Sequence, residues 1–192
     1  MRRGRRVEFA GALYHVTARA NLGRELFPGD FDRVAILALI GRATNRFRWR
    51  CLAYCLMDNH YHLALQTTEA NLGRGMHHLN GSYAQRLNRR HEGYGHAFHD
   101  RYGAELIERD EHLVELTRYI ALNPVRAGRC REPEAWPWSS YRATLGLDSP
   151  PPWLSANRLL DLFGTDLPTA RLRYERFVQE GHVQRTGRWT VS

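Results

Sequence analysis

No stretch of this 192-residue chain approaches the ~20 consecutive apolar residues that a membrane span requires, and the longest apolar run, residues 34–40, falls far short. There are no internal repeats and no low-complexity blocks. Cysteine is scarce: Cys51, Cys55 and Cys130 cannot build a disulfide framework, and an odd count argues against an exported protein. Cys51 and Cys55 admit two readings, as zinc ligands alongside histidines or as small buried residues of an apolar strand. The basic start, Met1-Arg2-Arg3-Gly4-Arg5-Arg6, runs into Val7-Glu8-Phe9 with no apolar h-region, so it does not read as a secretory signal. Cytoplasmic residence without a membrane partner is the expectation.

Lysine is absent altogether. All 28 basic side chains are arginine, against 20 acidic ones, for a formal net charge of +8. A GC-rich coding bias accounts for arginine over lysine, but not for the positive balance. Guanidinium groups suit phosphate because their planar fork donates two parallel hydrogen bonds. Arg2, Arg3, Arg5 and Arg6 form a basic arm, Arg89 and Arg90 a second cluster, and residues 126–131 a third. Tyr83, Tyr94, Phe98 and Tyr102 lie among these clusters, and aromatics so placed suit stacking on unpaired bases. Nucleic acid is the partner this balance favours.

The chain is long enough to bury a real core, as one domain or as one with a helical appendage. Residues 13–19 are rich in β-branched and aromatic side chains and read as a strand; residues 32–46 carry apolar positions at helical spacing. A near-continuous apolar run over 50–57, the turn signal Asp58-Asn59 and a further strand over 61–67 predict an antiparallel hairpin. In that second strand Tyr61, Leu63 and Leu65 share the face that wants a core. His60, His62, Ala64 and Gln66 share the other, which reads as polar, narrow at Ala64, and open to a ligand. A helix over 71–90 turns Leu72, Met76, Leu79, Tyr83 and Leu87 to one side. After a loop and a short strand over 103–108, Asp110 reads as the N-cap of a helix from Glu111 with a stripe of Leu113, Leu116 and Ile120. Pro124 should end that helix near Asn123. The order β-α-β-β-α-β-α predicts an α+β, ferredoxin-like antiparallel sheet with flanking helices. Domains are expected at 1–148 and, after the Pro150-Pro151-Pro152 linker, at 149–192, a small C-terminal helical extension packed on the first, with helices over 155–163 and 169–180.

With ten histidines in the chain, a His-x-His pair is a weak motif by itself. Its position strengthens it, since His60 and His62 open a strand on the less apolar face and can share one cation. Tyr119 and Asn123, four apart on a helix, can point at that cation together. A phenol is scarcely ionised at neutral pH, and a metal polarising a phosphate would supply the help it needs as a nucleophile. An amide oxygen with two imidazoles suits Mg2+ or Mn2+ better than a thiolate-rich zinc site. The bland alternatives are polar residues on an open sheet face and a tyrosine at a helix rim.

Asp58-Asn59-His60-Tyr61-His62-Leu63, Tyr83, Asn88, the run Gly95-His96-Ala97-Phe98-His99-Asp100-Arg101-Tyr102, the segment from Arg118 to Gly128 and Trp138-Ser139-Ser140-Tyr141 occur in that order. Over roughly residues 7–145 this series resembles the REP-associated tyrosine transposases, relatives of the bacterial single-strand transposases with an HUH site. The resemblance implies a metal site at His60 and His62, completed by Asn123 where relatives carry glutamine, and a nucleophile at Tyr119 in Tyr-x-x-x-Asn-Pro. It implies attack on single-stranded DNA, a 5′-phosphotyrosine link and a freed 3′-hydroxyl, with reversal rejoining strands. It further implies a palindromic hairpin as the DNA, contacted by Arg2, Arg3, Arg5, Arg6, Arg89, Arg90, Arg101 and Arg126, in a bacterial cytoplasm and acting at the nucleoid. Many relatives have proline where Asp58 stands, and aspartate is also an acceptable turn residue. The expected protein is a monomeric or homodimeric HUH transposase with a divalent cofactor, Mg2+ or Mn2+. The alternatives are a non-catalytic hairpin-DNA-binding protein and a metal-dependent phosphodiesterase in which Tyr119 is structural.

Overall fold

The computed structural model describes residues 7–21, 23–92 and 95–183. Four strands, β1 (Leu13–Arg19), β2 (Arg50–Leu56), β3 (His60–Gln66) and β4 (Gly103–Ile107), form one antiparallel sheet of order β2-β3-β1-β4. The helices are α1 (Asp30–Phe47), α2 (Leu72–Arg90), α3 (Asp110–Arg126), α4 (Tyr141–Leu145), α5 (Ala156–Leu160) and α6 (Leu167–Val183). This is the ferredoxin-like arrangement expected from the order of elements.

Strand alternation decides what lies on each side of the sheet. Tyr14, Val16 and Ala18 of β1 and Tyr61, Leu63 and Leu65 of β3 join Ile36 and Ile40 of α1 and Met76, Leu79 and Tyr83 of α2 in the larger core. The opposite face carries Ala53, Cys55, Ala64 and Ile107, packed by Leu113, Leu116, Tyr119 and Ile120 of α3. The histidine face of β3 is therefore covered, not open as its alternation predicts. The cover is α3, which is apolar on two sides: Ala121 and Leu122 pack outward against Tyr141, Leu159, Leu160, Ala170, Tyr174 and Val178. The sequence signals only the stripe of Leu113, Leu116 and Ile120, because the partners of the outer side lie in α4, α5 and α6.

Pro124 does not end α3, which runs on to Arg126. A proline in the last turn removes a single backbone donor, and the helix is then closed two residues later by other bonds. Gly128 takes φ +67, its N–H donates to the carbonyl of Val125 at 2.9 Å, and the N–H of Arg129 donates to that of Pro124 at 2.8 Å. This Schellman closure uses the glycine that follows Ala127. At the other end the helix begins with Asp110 itself, beside Glu111 in the first turn, where negative charge meets the positive helix end. In the C-terminal part α5 is shorter, and α6 longer, than the expected helices.

Candidate active site

Cross-strand register builds the site. Within β1, His15, Thr17 and Arg19 stand opposite Ala64, His62 and His60 of β3. All six therefore point toward α3. His62 is 1% exposed, while His60 at the strand start is partly open to solvent. Their rings lie 4.8 Å apart and perpendicular.

Tyr119 reaches the pair from above. Its ring meets His62 edge-on at 5.3 Å and His15 at 5.9 Å, and it is 5% exposed, so it is no rim residue. One helical turn on, the side-chain amide of Asn123 lies 3.3 Å from His62 Nε2. Asn123 also makes side-chain hydrogen bonds that bear on His60 and Tyr119. Tyr119, Asn123, His60 and His62 thus converge within one chain. Arg126, a further turn along α3, places its guanidinium 5.5 Å from the centre of the Tyr119 ring.

Each histidine ring is held through Nδ1. His60 Nδ1 lies 2.7 Å from Asn59 Oδ1, and His62 Nδ1 lies 2.9 Å from His15 Nε2. The Asn59 oxygen accepts, so His60 donates from Nδ1 and keeps a lone pair on Nε2; His62 Nε2 carries one when His62 is the donor to His15. Burial pushes the pKa of His60 and of His15 down to about 4, and the positive charge of Arg19 adds to the shift at His60. Burial first, and then His60, His15 and Arg19, push His62 well below its ordinary value. These imidazoles are accordingly neutral at pH 7. Burial raises the Tyr119 pKa, opposed by Asn123, Arg126 and Arg19, so the phenol keeps its proton at neutral pH.

The donor set fits a hard divalent cation: two neutral imidazoles and an amide whose oxygen and nitrogen exchange places by a half-turn about χ2. Among the described residues no group of three or more His, Cys, Asp or Glu side chains is disposed to hold a metal. Cys51 lies in the core under α1, on the opposite face from His62, and Cys55 is packed beside Met57 at 3.7 Å. Burial raises both thiols. With Cys51 on the far face, the two cysteines do not meet the histidines in one site.

The expected arginines are dispersed. Arg2, Arg3, Arg5 and Arg6 lie outside the described residues. Arg89 and Arg90 are exposed at the end of α2, in the other helical layer, with Arg90 over the exposed Phe31 at 4.9 Å. Arg101 is exposed in the loop that precedes β4, and that loop packs on the end of β1 through the N–H of His99 on the carbonyl of Arg19 at 3.1 Å. Of the described four, only Arg126 reaches Tyr119. Sequence reasoning missed His15 and Arg19. The signal was present in the parity of β1, but it needed the register against β3 to be read.

The model of the IS200-like transposase family matches residues 9–123. No curated protein matches the chain. Among solved structures, a REP-associated tyrosine transposase bound to a REP hairpin is 16% identical with a TM-score of 0.67, over 76% of this chain and 86% of that one. A candidate transposase from Deinococcus radiodurans R1 is also 16% identical, with a TM-score of 0.45 over 62% of this chain and 95% of that one. The fold is that of the hairpin-bound structure, and the family match defines an enzyme that cuts and joins DNA. The chain belongs to the IS200-like transposase family. Among the described residues no helix is long and apolar enough to cross a membrane.

Proposed function

We propose that this transposase is a divalent-metal-dependent endonuclease and strand transferase of single-stranded DNA, acting beside palindromic hairpins of the REP type. Tyr119 is the nucleophile, and His60, His62 and Asn123 are the metal ligands. The observation that carries the reading is the meeting of Tyr119 and Asn123 with the His62 ring, at 5.3 Å and 3.3 Å, inside one chain. The solved structure with the same fold holds a REP hairpin, which supports the hairpin as the DNA. A catalytic domain over 1–148 with a C-terminal helical extension over 149–192, whose α5 and α6 pack against α3 of the first, acting as a monomer or homodimer in a bacterial cytoplasm, completes the proposal.

His60, His62 and Asn123 would hold the divalent cation, Mg2+ or Mn2+, and the chemistry it would supply is polarisation of the scissile phosphate and stabilisation of developing charge. The chain's own residues do the rest. The neutral imidazoles offer lone pairs, and packing between α3 and the sheet holds the Tyr119 ring in place beside them. Tyr119 Oη attacks phosphorus, the bond to the 3′-oxygen breaks, and that oxygen gains a proton as the phenol loses one. The 5′-phosphotyrosine so formed is reversed by attack of a 3′-hydroxyl, which conserves the bond. Arg126, whose position over the Tyr119 ring supports the assignment, is given to the DNA phosphates together with Arg89, Arg90, Arg101 and the arm of Arg2, Arg3, Arg5 and Arg6.

The test is incubation with Mn2+ and a hairpin oligonucleotide carrying a flanking single strand. The wild-type protein is expected to cleave and to leave a protein–DNA adduct stable to denaturant, and Tyr119→Phe to do neither. Cleavage that survives in the Phe variant makes Tyr119 structural, as in a plain phosphodiesterase. Hairpin binding by the wild type without any cleavage makes the protein a DNA-binding module.

A further inference from the structure

We propose that His15 is a positioning residue for the metal site: its Nε2 accepts the Nδ1–H of His62 and so keeps the Nε2 lone pair of His62 turned toward His60 and Asn123. The proposal rests on the reading of His60 and His62 as metal ligands.

A neutral imidazole carries one N–H, and the nitrogen that bears it is set by the hydrogen bond it makes. His62 is buried, so an unpaired N–H or lone pair there would carry a desolvation cost, and each of its nitrogens has one neighbour in reach. Nδ1 faces His15 Nε2 at 2.9 Å, and Nε2 faces the Asn123 amide at 3.3 Å. The two imidazoles lie nearly parallel, 23° apart with centroids at 5.2 Å, so the bond runs close to both ring planes' edges rather than across a face. With His15 accepting, His62 Nε2 is free of a proton and can ligate. With His15 absent, nothing on this side selects that tautomer. His60 repeats the device with Asn59 in the role of His15, at 2.7 Å.

The placement of His15 has a structural cause. In the β1–β3 register it stands opposite Ala64, two residues along from the Thr17–His62 pair and on the same face. The methyl of Ala64 leaves room for the His15 ring to lean along β3 toward its diagonal neighbour, a reach that aromatic side chains cover. Tyr119 closes the space above at 5.9 Å. Partners that orient ligating histidines in this way commonly contribute a factor of about 10–100 to metal affinity.

The experiment compares wild type, His15→Phe, which keeps ring bulk without an acceptor, and His15→Gln, whose amide oxygen restores one. Two readouts are taken on folded protein without DNA: 15N imidazole shifts of the metal-free protein, and Mn2+ binding by electron paramagnetic resonance titration. Wild type is expected to show His62 as the Nδ1–H form. His15→Phe should show a mixed or Nε2–H form and bind Mn2+ about 10–100 times more weakly, with His15→Gln close to wild type in both. An Nε2–H form of His62 in the wild type, or an unchanged tautomer and Mn2+ affinity in His15→Phe, overturns the proposal. Failure of the wild type to bind Mn2+ while its His62 is the Nδ1–H form overturns the metal reading of the site instead.

Discussion

The carboxylate of Asp58 holds the guanidinium of Arg129 at 2.6 Å, and with it joins the turn that launches His60 to the loop that closes the helix of Tyr119. The other carboxylate oxygen takes Arg33 of α1 at 2.7 Å. Its backbone carbonyl accepts from Leu26 and Phe27 at 2.8 and 3.2 Å. The two halves of the site are thus tied by a residue whose place many relatives fill with proline. Asp58→Asn is expected to lower stability by about 1–3 kcal/mol, since it leaves the mostly buried Arg33 with only the exposed Asp30, at 3.2 Å, as its anion. Arg129 is half exposed, so Arg129→Ala should cost less than about 1 kcal/mol. Urea unfolding of both variants decides the order, and equal losses would mean that Arg33 is not the strong partner.

Asn123 separates its two possible duties by substitution. Asn123→Ala should leave the fold intact yet reduce Mn2+-dependent cleavage by at least about tenfold. Asn123→Gln, the residue of the resembling family, should retain measurable cleavage. A variant with alanine that cleaves like wild type would remove Asn123 from the metal site.

Acid should act on this protein through the buried histidines. A histidine whose folded pKa lies below its unfolded value gives stability that is complete above about pH 6.5 and is lost as pH falls toward the folded value. For His15, held at about 4 by burial, the loss across that window is about 3 kcal/mol. His60 contributes in the same direction, and more weakly for its exposure. Denaturation series at pH 7.5, 5.5 and 4.5 should show a falling midpoint, with a smaller fall in His15→Gln. A midpoint flat from 7.5 to 4.5 would contradict the burial of these rings.

The C-terminal part should be thermodynamically one with the sheet domain. Tyr174 of α6 is fully buried against Tyr141 and Phe163, at ring distances of 5.9 and 5.2 Å. Tyr174→Ala is expected to cost about 3–5 kcal/mol and to lower a single cooperative transition in calorimetry. A separate low-temperature transition, with the main one unmoved, would show α6 to be an independent unit.

The strands and their faces were legible because their signals are local. Alternation in residues 60–66 put His60 and His62 together, and their separation from Tyr61, Leu63 and Leu65 holds in the fold. What lay beyond reach depended on distant partners. The role of His15 requires the β1–β3 register, which pairs residues nearly fifty apart. Tyr119 reads as a rim residue until its ring is seen packed on His15 and His62 of the sheet, while the outer cover of α3, over Ala121 and Leu122, comes from α4, α5 and α6. Pro124 reads as a stop, yet the closure of α3 is made by Gly128 and Arg129. The charge pattern named a class of partner without choosing among the arginines.

That double cover of α3 fixes what is able to move. Arg118, next to Tyr119, is locked from outside: it pairs with Glu115, stacks over Phe177 at 4.2 Å, and packs on Gly181, where even a methyl would collide with it. Moving the backbone of α3 that carries Tyr119 would disturb two cores at once, the one holding Tyr119 and Ile120 and the one holding Ala121 and Leu122. On the proposed function the tyrosine would then be an anvil, and the DNA ends would be what trades places over it.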